Sequence, residues 1–321
     1  MGRDFNPMVA GKIGFLFPGQ GAQFVGMGRD LYHAFPAARR IFEQADAILG
    51  FPVSEVCFHG PEEKLLRTFY AQPAIFTASL ATLAVLQEKF PDVRPAFAAG
   101  LSLGEFTALA ALKSISFEDG LRLVQKRAEA MEQAAQKNPG TMASLMGLSQ
   151  KNCESVAKEA GCDVANLNSP DQTVLSGTLE SIERACKLAE AAGAKRAIPL
   201  KVGGAFHSSL MAPAKADLET ALRAAKINPP EGIFIPNALG ASVSDPEEIR
   251  VLLAHQLISP VRWVETMASA AAQGMNTFLE IGPGKVLKGL ARKSQPGMTV
   301  ESCGSADDIL KLESFLAKAN S

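Results

Sequence analysis

Gly100-Leu101-Ser102-Leu103-Gly104 constrains this chain more tightly than any other segment. It is entered from the apolar run Ala96-Phe97-Ala98-Ala99, which reads as a short buried strand, and it leads into Phe106–Leu112, which reads as a helix. A serine with glycine two positions to either side, at a strand-to-helix turn, is the pattern of a nucleophile elbow. The turn is so sharp that neighbouring backbone approaches closely, and only residues without a bulky Cβ substituent avoid a clash. It lifts a hydroxyl off the sheet edge and aims the first amides of the next helix at whatever that hydroxyl attacks. A Gly-Ser turn that only caps a helix has the same letters, so the rest of the chain must decide.

Around this point, strand-like and helix-like patterns alternate. Lys12–Phe17 reads as a strand ended by Pro18-Gly19-Gln20-Gly21-Ala22-Gln23, a loop too rich in glycine to be helical. Helical patterns run to Glu88, and a long helix is expected from Phe117 to Gln136. After Asn138-Pro139-Gly140 the order becomes strand (Thr141–Met146), helix (Gln150–Ala160), strand (Asp163–Leu167), turn (Asn168–Asp171), strand (Thr173–Ser176), helix (Leu179–Ala192) and strand (Lys195–Leu200). That β-α-β-β-α-β order is ferredoxin-like. Beyond Gly203-Gly204 come a helix from Ser209, a strand near 233–235, helices at 246–257 and 260–273, a strand at Thr277–Ile281 and, past Gly282-Pro283-Gly284, another helix. The expected architecture is therefore α/β. A large domain (11–137 and 204–321) holds a mostly parallel sheet with the elbow, a small α+β subdomain (138–203) is inserted into it, and residues 1–10 form a tail.

A chain of 321 residues can bury a core of this size. Its net charge of −1 argues against a strongly electrostatic nucleic-acid binder. The five cysteines (Cys57, Cys153, Cys162, Cys186, Cys303) are widely spaced and none lies close to His207, which argues against a disulfide framework or a zinc site and for a reducing, cytoplasmic setting. Apolar stretches such as Ala74–Leu86 read as too short to span a bilayer, and no targeting segment is visible, so no membrane partner is expected.

A serine hydroxyl needs a base. Among four histidines, His33 and His59 read as surface residues, the latter in a Pro/Gly loop, and His255 as a helix-end residue. His207 follows Gly203-Gly204-Ala205-Phe206 at the subdomain junction, where small residues leave room for a cleft; spacing alone leaves its role open. No acid stands out as a third member, since Asp217 and Asp245 both read as surface caps. A dyad whose imidazole is oriented by a backbone carbonyl is as acceptable as a triad. Arg127 falls in the middle of the apolar face of the 117–136 helix. A guanidinium buried there requires an anion: an internal Asp or Glu, or a substrate carboxylate held bidentately, unless the side chain snorkels out.

Seven segments in order then resemble the malonyl-CoA:acyl-carrier-protein transacylase family over residues 12–293. They are Phe17–Gln23, Gly100–Glu105, Arg127 in its helix, Asn166–Pro170, Gly204–Ser208, Gln256 with Ile258–Val261, and Glu280–Lys285. The resemblance implies that Ser102 carries a malonyl ester, that His207 is general base and then acid, and that the backbone amides of Gln20 and Leu103 form the oxyanion hole. It implies further that Arg127 clamps the malonyl carboxylate and that the main-chain carbonyl of Gln256 holds the His207 ring. Phe206 resembles the malonyl-selecting form of the family pattern. Leu101 stands where the family often has histidine; with Phe206 and Asn168 it is expected to line the pocket. No metal or cofactor is implied, only malonyl-CoA as substrate and coenzyme A as product.

The implied partner is an acidic acyl carrier protein, with a monomer as the expected state of the chain. Lys285, Lys288 and Arg292, at helical spacing, are the expected docking cations, although an ordinary solvated face has the same pattern. Gly282-Pro283-Gly284-Lys285 lacks the spacing of a phosphate loop. Alternatives to supplying fatty-acid synthesis are a polyketide-pathway acyltransferase of the same chemistry and, disfavoured by Arg127, a serine esterase or thioesterase.

Overall fold

A computed structural model describes residues 13–319; the expected tail at 1–10 lies outside the described residues. Among the described residues nine strands fall into two sheets. The larger comprises β1 (Ile13–Phe17), β2 (Phe97–Gly100), β7 (Ile233–Phe234), β8 (Thr277–Ile281) and β9 (Thr299–Cys303), in the order β7-β2-β1-β8-β9. Every pair in it is parallel. β1 and β2 read Ile-Gly-Phe-Leu-Phe and Phe-Ala-Ala-Gly and are buried throughout, as expected of strands covered on both faces.

The chain leaves β1 for β2 on one side and reaches β8 on the other, so the sheet has its switch point at β1, where α/β folds open a crevice at the carboxyl ends of the strands. Register makes this concrete. Phe17 pairs with Gly100, so the Pro18–Gln23 loop and the elbow leave the sheet side by side. The Leu101 amide donates to the Phe17 carbonyl at 3.0 Å.

Two long helices cover this end. Thr68–Lys89 is buried along most of its length. Its 22 residues are long and apolar enough to cross a bilayer, which corrects the short apolar stretch expected from sequence. Here it is a core helix, with 83% of its most apolar stretch inside the protein. Phe117–Lys137 begins at Ser116, whose hydroxyl accepts from the Asp119 amide at 3.0 Å. Glu132 on this helix takes the Phe69 amide at 2.9 Å and the Arg67 guanidinium, which fixes the start of the neighbouring helix.

The second sheet is antiparallel: β3 (Thr141–Met146), β4 (Asp163–Ser169), β5 (Gln172–Gly177) and β6 (Arg196–Pro199), in the order β4-β5-β3-β6. Helices Gln150–Ala160 and Leu179–Ala191 pack on one face, capped by Ser149 and Thr178. The sheet is stitched to the rest of the molecule at Val261, which bridges to Asn166: the Leu167 amide donates to the Val261 carbonyl and the Val261 amide to the Ala165 carbonyl, at 2.9 and 2.8 Å.

Several expected boundaries move. Asn168 and Ser169 belong to β4, which carries a register shift, and the turn is only Pro170–Asp171. The segment from Ser209 starts as a 3-10 turn before the helix Ala212–Ala224. The 246–257 helix ends at His255 and tightens into a 3-10 turn at Gln256–Ile258, and the next helix starts at Trp263. His59 ends a helix, Val53–His59, instead of lying in a loop. The sequence reading has nothing at β9 or at the last helix, Ala306–Ala319.

Glu280, buried at the end of β8, accepts the Leu287 and Lys288 amides at 2.8 and 2.9 Å and so caps the helix Val286–Ser294. Burial pushes its carboxyl above the usual range, while those amides pull it back. Replacing Glu280 by alanine leaves two donors unpaired and should cost about 1–3 kcal/mol. A lower denaturant midpoint at unchanged slope would report it.

Candidate active site

The elbow geometry follows from its glycines. A Cβ on Gly100 would sit 1.9 Å from the Gly104 carbonyl carbon, and one on Gly104 would sit 2.2 Å from the Phe17 carbonyl oxygen. Gly19 is equally forced, its Cβ position lying 2.3 Å from the Leu101 carbonyl oxygen, so the Pro18–Gln23 loop can lie against the elbow only without a side chain there. Ser102 is held at φ 53° and His207 at φ 58°. Two non-glycine residues in the left-handed region, facing each other, mark local strain of about 1–3 kcal/mol each, which a functional site often retains.

The Ser102 hydroxyl is the meeting point. His207 Nε2 lies 2.8 Å from Ser102 Oγ, and Arg127 Nη2 donates to the same oxygen at 2.9 Å. On its far side, His207 Nδ1 is 2.8 Å from the main-chain oxygen of Gln256. A carbonyl can only accept, so Nδ1 carries the proton, and Nε2 is left free to accept from the Ser102 O–H. The carbonyl is available because it lies in the 3-10 turn that ends the 246–255 helix, where the α-helical ladder has run out. Asp217 is exposed and Asp245 caps that helix by accepting the Glu247 and Glu248 amides, so neither serves as a third member. His33, His59 and His255 are all exposed.

Burial, and secondly the nearby Arg127 charge, push the His207 imidazole down from 6.5 to about 4, against the pull of its backbone hydrogen bonds. The ring is therefore neutral and able to accept a proton across the neutral range. The acid limb of kcat/KM should lie near pH 4 instead of near the ordinary histidine value, and rate measurements from pH 3.5 to 8 would show it. The same depression has a stability consequence. The unfolded chain binds a proton near 6.5 that the folded chain refuses until about 4, so this contribution is lost as pH falls through that window.

Arg127 is buried to 1% exposure. No carboxylate among the described residues pairs with it directly. Its donors go to three neutral oxygens: Gln72 Oε1 at 2.7 Å, Gln256 Oε1 at 2.7 Å and Ser102 Oγ, while its Nε has no protein partner. Burial pulls the guanidinium down to about 10, partly offset by the charge of Glu105, and it stays cationic at neutral pH. A cation kept among neutral acceptors at the floor of a cleft, next to a nucleophile, can receive an anionic group.

The cleft has a volume of about 310 Å³ and runs between the two sheets. Leu101, Phe206 and Asn168 line it, as do Gln20, Ser102 and His207. Neither the Gln20 nor the Leu103 amide donates to another described residue; Gln20 lines the cleft, whereas Leu103 is fully buried. Of the expected docking cations, Lys285 and Arg292 are exposed at the rim helix, whereas Lys288 is half-buried and tied to Glu301 at 3.1 Å. That pair reduces the expected three-cation face to two exposed charges.

Sequence reasoning missed Gln72, Asn237 and the side chains of Gln256 and Glu105. Asn237 Oδ1 accepts the Ser102 amide at 2.6 Å and its Nδ2 donates to the Gly100 carbonyl at 2.8 Å, which pins the elbow. Glu105 is fully buried and accepts from the Asn237 amide and from Gln256 Nε2. The glutamine and asparagine lie outside any periodic pattern that would single them out. Glu105 was detectable, because a carboxylate in the first turn of an otherwise apolar helix needs a partner.

Residues 14–306 match the acyl transferase domain model. The malonyl CoA-acyl carrier protein transacylase of Bacillus subtilis is 45% identical over 289 residues, 88% of this chain and 90% of that protein. Among solved structures, the acyl-carrier-protein S-malonyltransferase of Bartonella henselae superposes with a TM-score of 0.91 at 39% identity, covering 95% of this chain and 99% of that one. A malonyl-transacylase solved in complex with its type II PKS acyl-carrier protein gives 0.90 at 36% identity, with 94% and 98% covered. The chain thus belongs to the acyl transferase family, within its malonyl CoA-acyl carrier protein transacylases.

Proposed function

We propose that the protein moves a malonyl group from malonyl-CoA to the phosphopantetheine thiol of an acyl carrier protein through an ester on Ser102, in support of fatty-acid synthesis. The observation that carries this reading is the shared hydroxyl: Ser102 Oγ within 2.8 Å of a neutral imidazole nitrogen and 2.9 Å of a buried guanidinium. His207 Nε2 takes the Ser102 proton as Oγ attacks the thioester carbonyl. The oxyanion is received by the Gln20 and Leu103 amides, a contribution of about 3 kcal/mol per donor in sites of this kind. The C–S bond breaks, His207 returns the proton to the coenzyme A sulfur, and the malonyl carboxylate rests on Arg127. The carrier thiol then gives its proton to His207 and attacks the ester carbonyl; the C–O bond to Ser102 breaks, His207 returns the proton to Oγ, and the carrier leaves with the malonyl group.

In this reading residues 138–203 form a ferredoxin-like subdomain, as the order β4-β5-β3-β6 and the two helices on one face support. Residues 11–137 and 204–321 form the hydrolase-like domain that carries the elbow. Lys285 and Arg292 lie where an acidic carrier would approach the cleft.

Steady-state kinetics with malonyl-CoA and a phosphopantetheinylated carrier protein test the proposal. Parallel lines in double-reciprocal plots and malonyl-carrier as product are expected. Steady release of free malonate without a carrier would instead indicate a hydrolase. The solved relative with a type II PKS carrier favours one second reading, the same chemistry serving a polyketide carrier. Comparing kcat/KM for the two kinds of carrier decides between them.

A further inference from the structure

Glu105 takes no part in the chemistry just described, yet it is a fully buried carboxylate in the first turn of the elbow helix. Burial pushes its carboxyl up, while the Asn237 amide, the Arg127 charge and the Gln256 amide draw it down; both of its oxygens face N–H donors and neither faces an acceptor for a carboxyl proton, so the contacts fit the carboxylate. What it touches explains why a carboxylate is kept there.

Gln256 Nε2 donates to Glu105 Oε2 and, at 2.9 Å, to the Ser102 carbonyl oxygen; Gln256 Oε1 accepts from Arg127 Nη2 at 2.7 Å. A side-chain amide can sit in two orientations that exchange its oxygen and nitrogen. Here one face meets a carboxylate and a carbonyl, which only accept, and the other meets a guanidinium, which only donates. Rotating the amide would set oxygen against oxygen on one side and nitrogen against guanidinium on the other. The anion on one side and the cation on the other leave a single favourable orientation.

We propose that Glu105 is a positioning residue. It locks the Gln256 side-chain amide, and through that amide holds Arg127 in the pose that receives the substrate carboxylate. The inference rests on the malonyl-transfer reading. The other Glu105 oxygen accepts from the Asn237 amide, and the Asn237 side chain grips Ser102 and Gly100, so the same carboxylate ties the elbow to the Asn237 segment and to the Gln256 turn. Glutamine could not replace it. With one acceptor instead of two, its own NH2 would face either the Asn237 N–H or the Gln256 NH2, donor against donor.

The test compares single-turnover acylation of the intact protein by malonyl-CoA and by acetyl-CoA, read by mass spectrometry. A residue needed only for folding would lower both rates together, whereas one that positions Arg127 lowers the malonyl rate selectively. In E105Q the malonyl-to-acetyl rate ratio should fall about tenfold, the range expected for a lost hydrogen bond to a charged group. Gln256→Met keeps the main-chain carbonyl for His207 but removes the amide, and its ratio should fall by a comparable factor. E105Q added to R127A should change the ratio by less than about twofold, because the two act through one chain of contacts. A fall of less than about threefold in E105Q, or in Gln256→Met should E105Q not fold, overturns the proposal, as does full additivity with R127A. A wild-type protein that never accepts a malonyl group would instead bring down the transfer reading itself.

Discussion

Ser102→Ala protein should lose malonyl transfer by on the order of 10⁴-fold or more, the loss seen when a covalent nucleophile is removed from a site whose members act together. The geometry leaves no substitute. Ser102 Oγ is the atom on which His207 Nε2 and Arg127 Nη2 converge, and among the described residues no other serine, threonine or tyrosine lines the cleft. His207→Ala should cost about 10²–10⁴-fold, the contribution of a general base. Because base and nucleophile act as one unit, the double variant should be no slower than Ser102→Ala alone. A double variant slower by the product of the two single losses would show that they act independently.

Arg127→Ala should lower kcat/KM for malonyl-CoA by an amount corresponding to about 2–5 kcal/mol, the range for truncating one partner of a desolvated charge pair. Acetyl-CoA should be transferred as well as before, or faster. An acetyl methyl gains nothing from a guanidinium, and removing Nη2 frees a lone pair on Ser102 Oγ that the arginine otherwise engages. The loss of positive charge has a second readout. Arg127 is one of the two causes that depress His207, so its removal should move the acid limb of kcat/KM from near pH 4 toward neutrality. Equal losses for malonyl and acetyl transfer, with an unmoved acid limb, would reject the carboxylate clamp.

The parts of this molecule legible in the sequence are those where sterics or charge allow few alternatives. Gly100 and Gly104 announce the elbow because any Cβ there would enter backbone. Arg127 stands out because a permanent charge on an apolar helix face needs an explanation, and the structure supplies neutral oxygens instead of the internal acid that was one expectation. β9 went unread because Thr-Val-Glu-Ser-Cys is an edge strand with only two apolar residues behind a Pro-Gly break. The last helix did carry a signal, since Ile309, Leu312 and Leu316 recur at helical spacing and are buried. The polar frame of the cleft was harder. Gln72, Asn237 and the Gln256 side chain converge from three separate elements, and their meaning lies in which oxygen meets which nitrogen, which no one-dimensional pattern records.

Intact-protein mass after brief exposure to malonyl-CoA, with peptide mapping, tests the central claim most directly. One malonyl group on Ser102 is expected, absent in Ser102→Ala and discharged when a carrier thiol is added. A malonyl group on another residue, or one that persists in Ser102→Ala, would contradict the account.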